Sequence, residues 1–209
     1  MRFSQFLYDM FEQCLNQIYT HTENGASYSF YREGSTLYIF FEKSNGAVDW
    51  KSNFNYRVVK YPSENKRFAC HEGFLMVWLD ILPHLEREIS DKAVQEIVSV
   101  GYSHGAGVAL LCYEYCRYAR VDIQDKIFGF GFGSPRVIWG TSDRCVWNGF
   151  FVIKNIDDLI THLPPAIFGY RHVGQMLTIG KSGKYSKIDA HRQENYLYEL
   201  KNSQIDFGI

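Results

Sequence analysis

The sequence predicts a single α/β domain, residues 1–209, built on a mostly parallel sheet with helices on both faces. Three observations carry that expectation. From residue 74 onward, short β-branched or aromatic runs alternate with long stretches of helical periodicity, the pattern of strand–helix–strand units. The 46% hydrophobic content is enough to fill one core. No repeat, low-complexity run or linker-like stretch divides the 209 residues, a length that suits one domain.

The opening segment reads as an amphipathic helix. Phe3, Phe6, Leu7, Met10, Cys14 and Ile18 recur at mostly helical spacing, and Asn24-Gly25 stops the run. Ser27 to Tyr31 and Thr36 to Phe41 are β-rich, and Arg32-Glu33-Gly34-Ser35 between them is hairpin-like, so the two strands should be antiparallel neighbours. Tyr56 to Val59 is a further strand candidate, closed by Pro62. Phe74 to Ile89 is helical, with Pro83 expected to kink it or end its first part. Glu96 to Val100 is a strand and Ala106 to Arg120 a helix. Ile127 to Phe132 and Gly149 to Lys154 are strands. After Pro164-Pro165 come a strand near Met176 to Ile179 and a last helix from about Ala190 to Lys201.

Charge narrows the function classes. Lys and Arg number 22 against 23 Asp and Glu, a formal net charge of −1. Nucleic-acid binding runs on clustered cations that neutralise phosphates, so no nucleic-acid partner is expected. The longest apolar stretch, Phe74 to Leu82, is about half the ~20 residues of a membrane-spanning helix and contains Asp80. The first residues meet Asp9 and Glu12 before any long apolar core, unlike a signal peptide. Five cysteines are an odd number. Together these point to a reducing, cytoplasmic location. Cys112 and Cys116 lie four apart on one predicted helix, but no second pair matches them, so they read as core packing and no metal is expected.

The chemistry concentrates in Gly101-Tyr102-Ser103-His104-Gly105-Ala106-Gly107. This has G-x-S-x-G spacing, with a strand pattern before it and a helical pattern after it. A strand that turns sharply into a helix strains the residue at the bend, and glycines two before and two after let the two elements approach. The serine then stands over the strand's carboxyl end, beside a helix N-terminus whose N–H groups can stabilise an oxyanion. The plainer alternative is a glycine-rich turn whose serine caps a helix.

A nucleophilic serine needs a base, usually oriented by an acid. The chain order of this elbow type is serine, acid, histidine, which leaves His162, His172 and His191 as candidate bases. His104 is adjacent to the serine and better placed to offer its backbone N–H than its ring. The acid should follow a downstream strand, and Ile156-Asp157-Asp158 follows Phe150 to Asn155.

These residues resemble the fungal-type triacylglycerol lipases, the class 3 lipase family of the α/β-hydrolases. Five segments match in the family's order. They are Phe41-Glu42-Lys43-Ser44 with Asp49-Trp50 and Asn53; His71-Glu72-Gly73-Phe74; the elbow; Gly133-Ser134-Pro135-Arg136-Val137; and Asn155 to Pro165 with its Leu163-Pro164-Pro165 marker. Tyr170-Arg171-His172 follows, as a Tyr-x-His run does in the family. The resemblance implies an α/β-hydrolase fold with Ser103 as nucleophile, Asp158 as acid and His191 as base. Asp158 is preferred to Asp157 because it stands five residues before Leu163-Pro164-Pro165. The implied oxyanion donors are the backbone N–H groups of His104 and Ser44. Lys43 stands where the family usually has glycine, and Ala106-Gly107 reverses the family's small pair.

The function that follows is cleavage of carboxylic esters of lipids through an acyl-enzyme, with no cofactor. The partner is a lipid or small ester substrate, met through a transient lipid-surface contact. Phospholipid hydrolysis or acyl transfer on the same residues is one rival; a catalytically silent α/β-hydrolase scaffold serving as a binding module is another. In the family a segment after the oxyanion residue often forms a lid. Here Asn45 to Phe54 offers only Val48, Trp50 and Phe54 as large apolar residues, which predicts a small cover and weak activation at interfaces.

Overall fold

The alternation of strand and helix builds a seven-stranded sheet with helices packed on both faces. The structure, a computed structural model, describes residues 3–43, 56–61, 68–140 and 144–202. In chain order the elements are α1 (Phe3–Asn16), β1 (Thr20–His21), β2 (Ser27–Glu33), β3 (Thr36–Phe41), β4 (Val58–Lys60), β5 (Ala69–His71), α2 (Glu72–Ser90), β6 (Glu96–Tyr102) and α3 (His104–Ala119). There follow β7 (Ile127–Phe132), β8 (Ile138–Trp139), β9 (Phe150–Asn155), β10 (Tyr170–Arg171), β11 (Gln175–Ile179) and α4 (Gln193–Asn202). The main sheet has the order β1-β2-β3-β6-β7-β9-β11. Strands β3, β6, β7, β9 and β11 run parallel, whereas β1 and β2 are antiparallel to their neighbours. The two-residue loop Gly34-Ser35 joins β2 to β3, shorter than the four-residue linker the sequence suggests, with Gly34 taking a φ of 59° that costs glycine nothing.

Alternation along the parallel strands explains why both faces are covered. Leu37, Ile39 and Phe41 of β3 join the α2 and α3 side, while Phe40 joins the α1 and α4 side. In β7 the sequence Ile-Phe-Gly-Phe-Gly-Phe puts Phe130 and Phe132 in the α1/α4 layer. Gly129 and Gly131 lie beneath Phe150, where a Cβ on Gly129 would come within 2.3 Å of the ring. There is also a second, four-stranded antiparallel sheet, β10-β8-β5-β4, of which the sequence suggested only β4, as the strand candidate Tyr56 to Val59. Its strands are two or three residues long, too short to show a period.

One element differs from expectation. Helix α1 stops at Asn16, and Ile18, read as part of its apolar face, is 93% exposed because the chain there turns into β1. Phe11, fully buried, supplies the packing instead. Helix α2 covers the expected Phe74 to Ile89 stretch, and of the two outcomes expected at Pro83 it does not end there. Phe74, Trp78, Ile81, Leu85 and Ile89 form one buried stripe across the proline. A proline inside a helix costs roughly 3 kcal/mol, whereas full burial of each aliphatic side chain contributes about 1.5–3 kcal/mol. The two fully buried residues beyond the proline, Leu85 and Ile89, therefore offset it. Pro83 sits on the exposed face, where water can serve the carbonyl it leaves unpaired. No helix among the described residues is long and apolar enough to cross a membrane.

Candidate active site

All five parallel strands end on the same edge of the sheet, and the chemistry-bearing residues stand on the loops leaving that edge. Ser103 follows β6, Gly133 follows β7, Asp158 follows β9, and His191 lies beyond β11 on the single turn Asp189–His191. Ser103 adopts φ 56° and ψ −120°, and among the described residues it alone has a positive φ without being glycine. The sequence allows this bend because its flanks carry no side chains. A Cβ on Gly101 would stand 2.1 Å from the Gly105 carbonyl oxygen, and one on Gly105 would stand 2.3 Å from that of Phe41. Ser103 is the N-cap residue of α3 but makes no side-chain capping bond. The helix-cap alternative fails on that point.

Its hydroxyl is engaged elsewhere. Ser103 Oγ lies 2.8 Å from His191 Nε2, and His191 Nδ1 lies 2.7 Å from Asp158 Oδ2. Asp158 is fully buried, Ser103 is 6% exposed and the His191 side chain is 18% exposed. A buried carboxylate must find donors. Asp158 has three: besides the His191 ring, the Tyr196 hydroxyl donates to Oδ2 at 2.6 Å and the Ile160 backbone N–H to Oδ1 at 2.8 Å. Burial, and then the adjacent Asp158 carboxylate, push the Tyr196 phenol well up, so it remains a donor near neutral pH. The same oxygen accepts the Asn155 backbone N–H at 3.0 Å.

The remaining candidates take other places. His172 Nε2 contacts the Thr161 carbonyl at 2.7 Å, and burial lowers its pKa to about 4. His162 is exposed on the loop after Asp158 and makes no contact with Ser103. Asp157 accepts the Gly183 N–H at 2.6 Å on an exposed turn. The structure thus brings together Ser103, Asp158 and His191, and leaves Asp157, His162 and His172 outside. His104 opens α3, and its ring, held neutral by burial to a pKa of about 4, packs 4.9 Å from Phe74. Its backbone N–H stands at the helix N-terminus. Ser44, and the lid segment Asn45 to Phe54, lie outside the described residues.

The other matched segments have structural work here. His71 caps α2, accepting the Gly73 N–H at Nδ1 over 3.0 Å. Arg136 donates to the carbonyls of His162 and Pro164, tying the turn after β7 to the loop after Asp158. Gly133, with φ 58°, lies against the imidazole, where a Cβ would stand 2.9 Å from His191 Cε1. Tyr196 and Tyr102 are site residues that sequence reasoning missed. Tyr196 falls on an amphipathic helix, where an aromatic reads as core, and nothing local signals a partner for its hydroxyl. A cavity of about 720 Å³ adjoins His104, lined by Phe41, Met76, Val77, Leu79 and Val108 on its apolar side.

Comparison with known proteins gives this geometry its family. The profile described as Lipase (class 3) matches residues 38–168, well over half of the chain. A lipase from Rhizomucor miehei is 28% identical over 149 residues, covering 67% of this chain and 40% of that protein. The secreted mono- and diacylglycerol lipase LIP1 of Malassezia globosa is 25% identical over 208 residues, covering 92% of this chain and 65% of that protein. The chain therefore spans about 40% to 65% of the length of these curated relatives. Among solved structures, the Rhizomucor miehei triacylglyceride lipase superposes with a TM-score of 0.67 at 21% identity, covering 86% of this chain and 78% of that one. A fungal lipase–inhibitor complex gives 0.69 at 18% identity, covering 91% and 90%. These structural likenesses establish an α/β-hydrolase fold, and the profile match establishes the family: the chain belongs to the class 3 lipases.

Proposed function

We propose that this chain is a serine hydrolase that cleaves carboxylic esters of lipids through an acyl-enzyme. The observation that carries the proposal is the unbroken hydrogen-bonded line from Ser103 through His191 to buried Asp158. Ser103 Oγ attacks the ester carbonyl while His191 Nε2 takes its proton. Charge develops on the carbonyl oxygen beside the N-terminus of α3, where the His104 N–H is the described donor. His191 returns its proton to the departing alcohol, then takes one from the water that attacks the acyl-serine. Asp158 holds the ring in the tautomer with hydrogen on Nδ1 and offsets the imidazolium charge in each step.

Lipid esters are the favoured substrates because the relatives are named lipases and a partly apolar cavity adjoins the oxyanion side. A lipid-surface contact through the loops around the site is part of the same reading. Ile167 is 89% exposed and Ile188 66%, on the loops that follow Asp158 and precede His191 respectively. Exposed apolar side chains at such positions suit an acyl-chain boundary better than water.

The test is a fluorophosphonate probe followed by peptide mapping. Covalent labelling is expected at Ser103 and none in Ser103→Ala. A folded wild-type protein that stays unlabelled and hydrolyses no ester would instead support a silent binding module.

A further inference from the structure

We propose that Tyr102 is a positioning residue that holds the His191 imidazole in line between Ser103 and Asp158; the inference rests on the hydrolase reading above. Tyr102 is the last residue of β6 and immediately precedes the nucleophile. Strand alternation sends its side chain into the α1/α4 layer, where it is 4% exposed. There it meets the base twice. Its ring stacks on the imidazole face with centroids 5.2 Å apart and planes 25° apart. Its hydroxyl donates to the His191 backbone carbonyl.

Both contacts add restraint to the base. His191 stands on one turn, secured by the Ala190 N–H to the Ser186 carbonyl at 2.8 Å and its own N–H to that of Ile188 at 3.1 Å. The hydrogen bonds to Ser103 and Asp158 grip the imidazole at its two nitrogens, so the ring can still tilt about the line joining them. A flat aromatic surface on one face opposes that tilt, and Gly133 closes in at Cε1. The hydroxyl fixes the turn itself, so that the ring's attachment point cannot slide along the sheet edge. One residue thereby couples the position of the base to the strand that presents the nucleophile. Burial pushes the Tyr102 phenol far up, so it stays a donor throughout the pH range of catalysis. A residue of this kind contributes through geometry, where small displacements cost large factors in rate.

Tyr102 also packs against Phe11 and Tyr196, so a core role alone must be separable from positioning. Tyr102→Phe keeps the stack and removes the hydroxyl, whereas Tyr102→Leu removes both. On a soluble short-chain ester, Tyr102→Phe should lower kcat about tenfold and Tyr102→Leu about a hundredfold, each with KM within about twofold of wild type. In a His191→Ala background, which has no imidazole to position, either substitution should change the residual rate by less than about twofold. A second readout is independent of turnover. The Nδ1 proton shared with Asp158 should give a low-field proton resonance in wild type that broadens in Tyr102→Phe and is lost in Tyr102→Leu. The proposal is overturned if both variants keep wild-type kcat, or if their losses persist in full in the His191→Ala background, or if the resonance is unchanged. A wild-type protein with no esterase activity and no probe labelling, but with a resonance that responds to Tyr102, would sink the hydrolase reading and leave the positioning role standing.

Discussion

Replacing Tyr196 by Phe deletes a single oxygen and disturbs the two groups bonded to it. That oxygen donates to Asp158 Oδ2 at 2.6 Å and accepts the Asn155 N–H at 3.0 Å, both in buried surroundings. Loss of a hydrogen bond to a charged group costs about 1.5–3 kcal/mol, and an orphaned buried N–H costs about 1–3 kcal/mol. Because the ring keeps its packing on Phe11 and Tyr102, no large cavity adds to this. A total near 3 kcal/mol is expected, which for a domain of this size corresponds to a Tm about 6–12 °C lower. Asp158 would retain the Ile160 N–H and the His191 ring, so catalysis should survive with kcat reduced about tenfold. Denaturant unfolding and esterase kinetics on the same preparation test both halves. Unfolding free energy within about 0.5 kcal/mol of wild type, with unchanged kcat, would show that the tyrosine does not support the acid.

Other expectations follow from the same geometry. His191→Ala should lose on the order of 10³-fold or more in ester turnover, whereas His172→Ala should retain far more, because its ring serves the Thr161 carbonyl; the reverse ranking would move the base. Arg120 is 1% exposed and donates to the carbonyls of Ile89, Asp91 and Val94 at 2.8–2.9 Å, so Arg120→Ala should destabilise the fold by about 3 kcal/mol or more while leaving the KM of the folded fraction unchanged. The pH dependence of stability has a defined sign. Burial lowers His71, His104 and His172 from 6.5 to about 4. The unfolded chain therefore binds more protons than the folded one between those values, and the stability present above pH 6.5 is lost as pH falls toward 4. Denaturant unfolding at several pH values across that window should show the decline; a flat or rising stability would contradict it.

How much was legible beforehand depended on whether local pattern sufficed. The parallel strands announced themselves through β-branched and aromatic runs, and the Gly-Phe alternation of β7 encodes both of its faces within six residues. The elbow was legible because its glycines answer a local steric demand, seen in the 2.1 Å approach at Gly101. Asp158 and His191 are separated from Ser103 by 55 and 88 residues, so spacing narrowed the choice and the family resemblance completed it. The hydroxyls of Tyr102 and Tyr196 carry no local signature, since an aromatic on a buried face is ordinary packing until its partner is seen. The helical pattern of α2 was legible on both sides of Pro83, but whether the helix would end there was not: propensity opposes continuation locally, and burial of Leu85 and Ile89 beyond the proline reverses the balance.

The central claim is that Ser103 carries the acyl group during turnover. Rapid mixing with an activated short-chain ester, acid quench and peptide mass mapping measure this directly. A burst of alcohol equal to one per protein molecule is expected, with one acyl group on the peptide containing Ser103 and none in Ser103→Ala. Steady ester hydrolysis without burst or adduct, or with the acyl group on another residue, would contradict it.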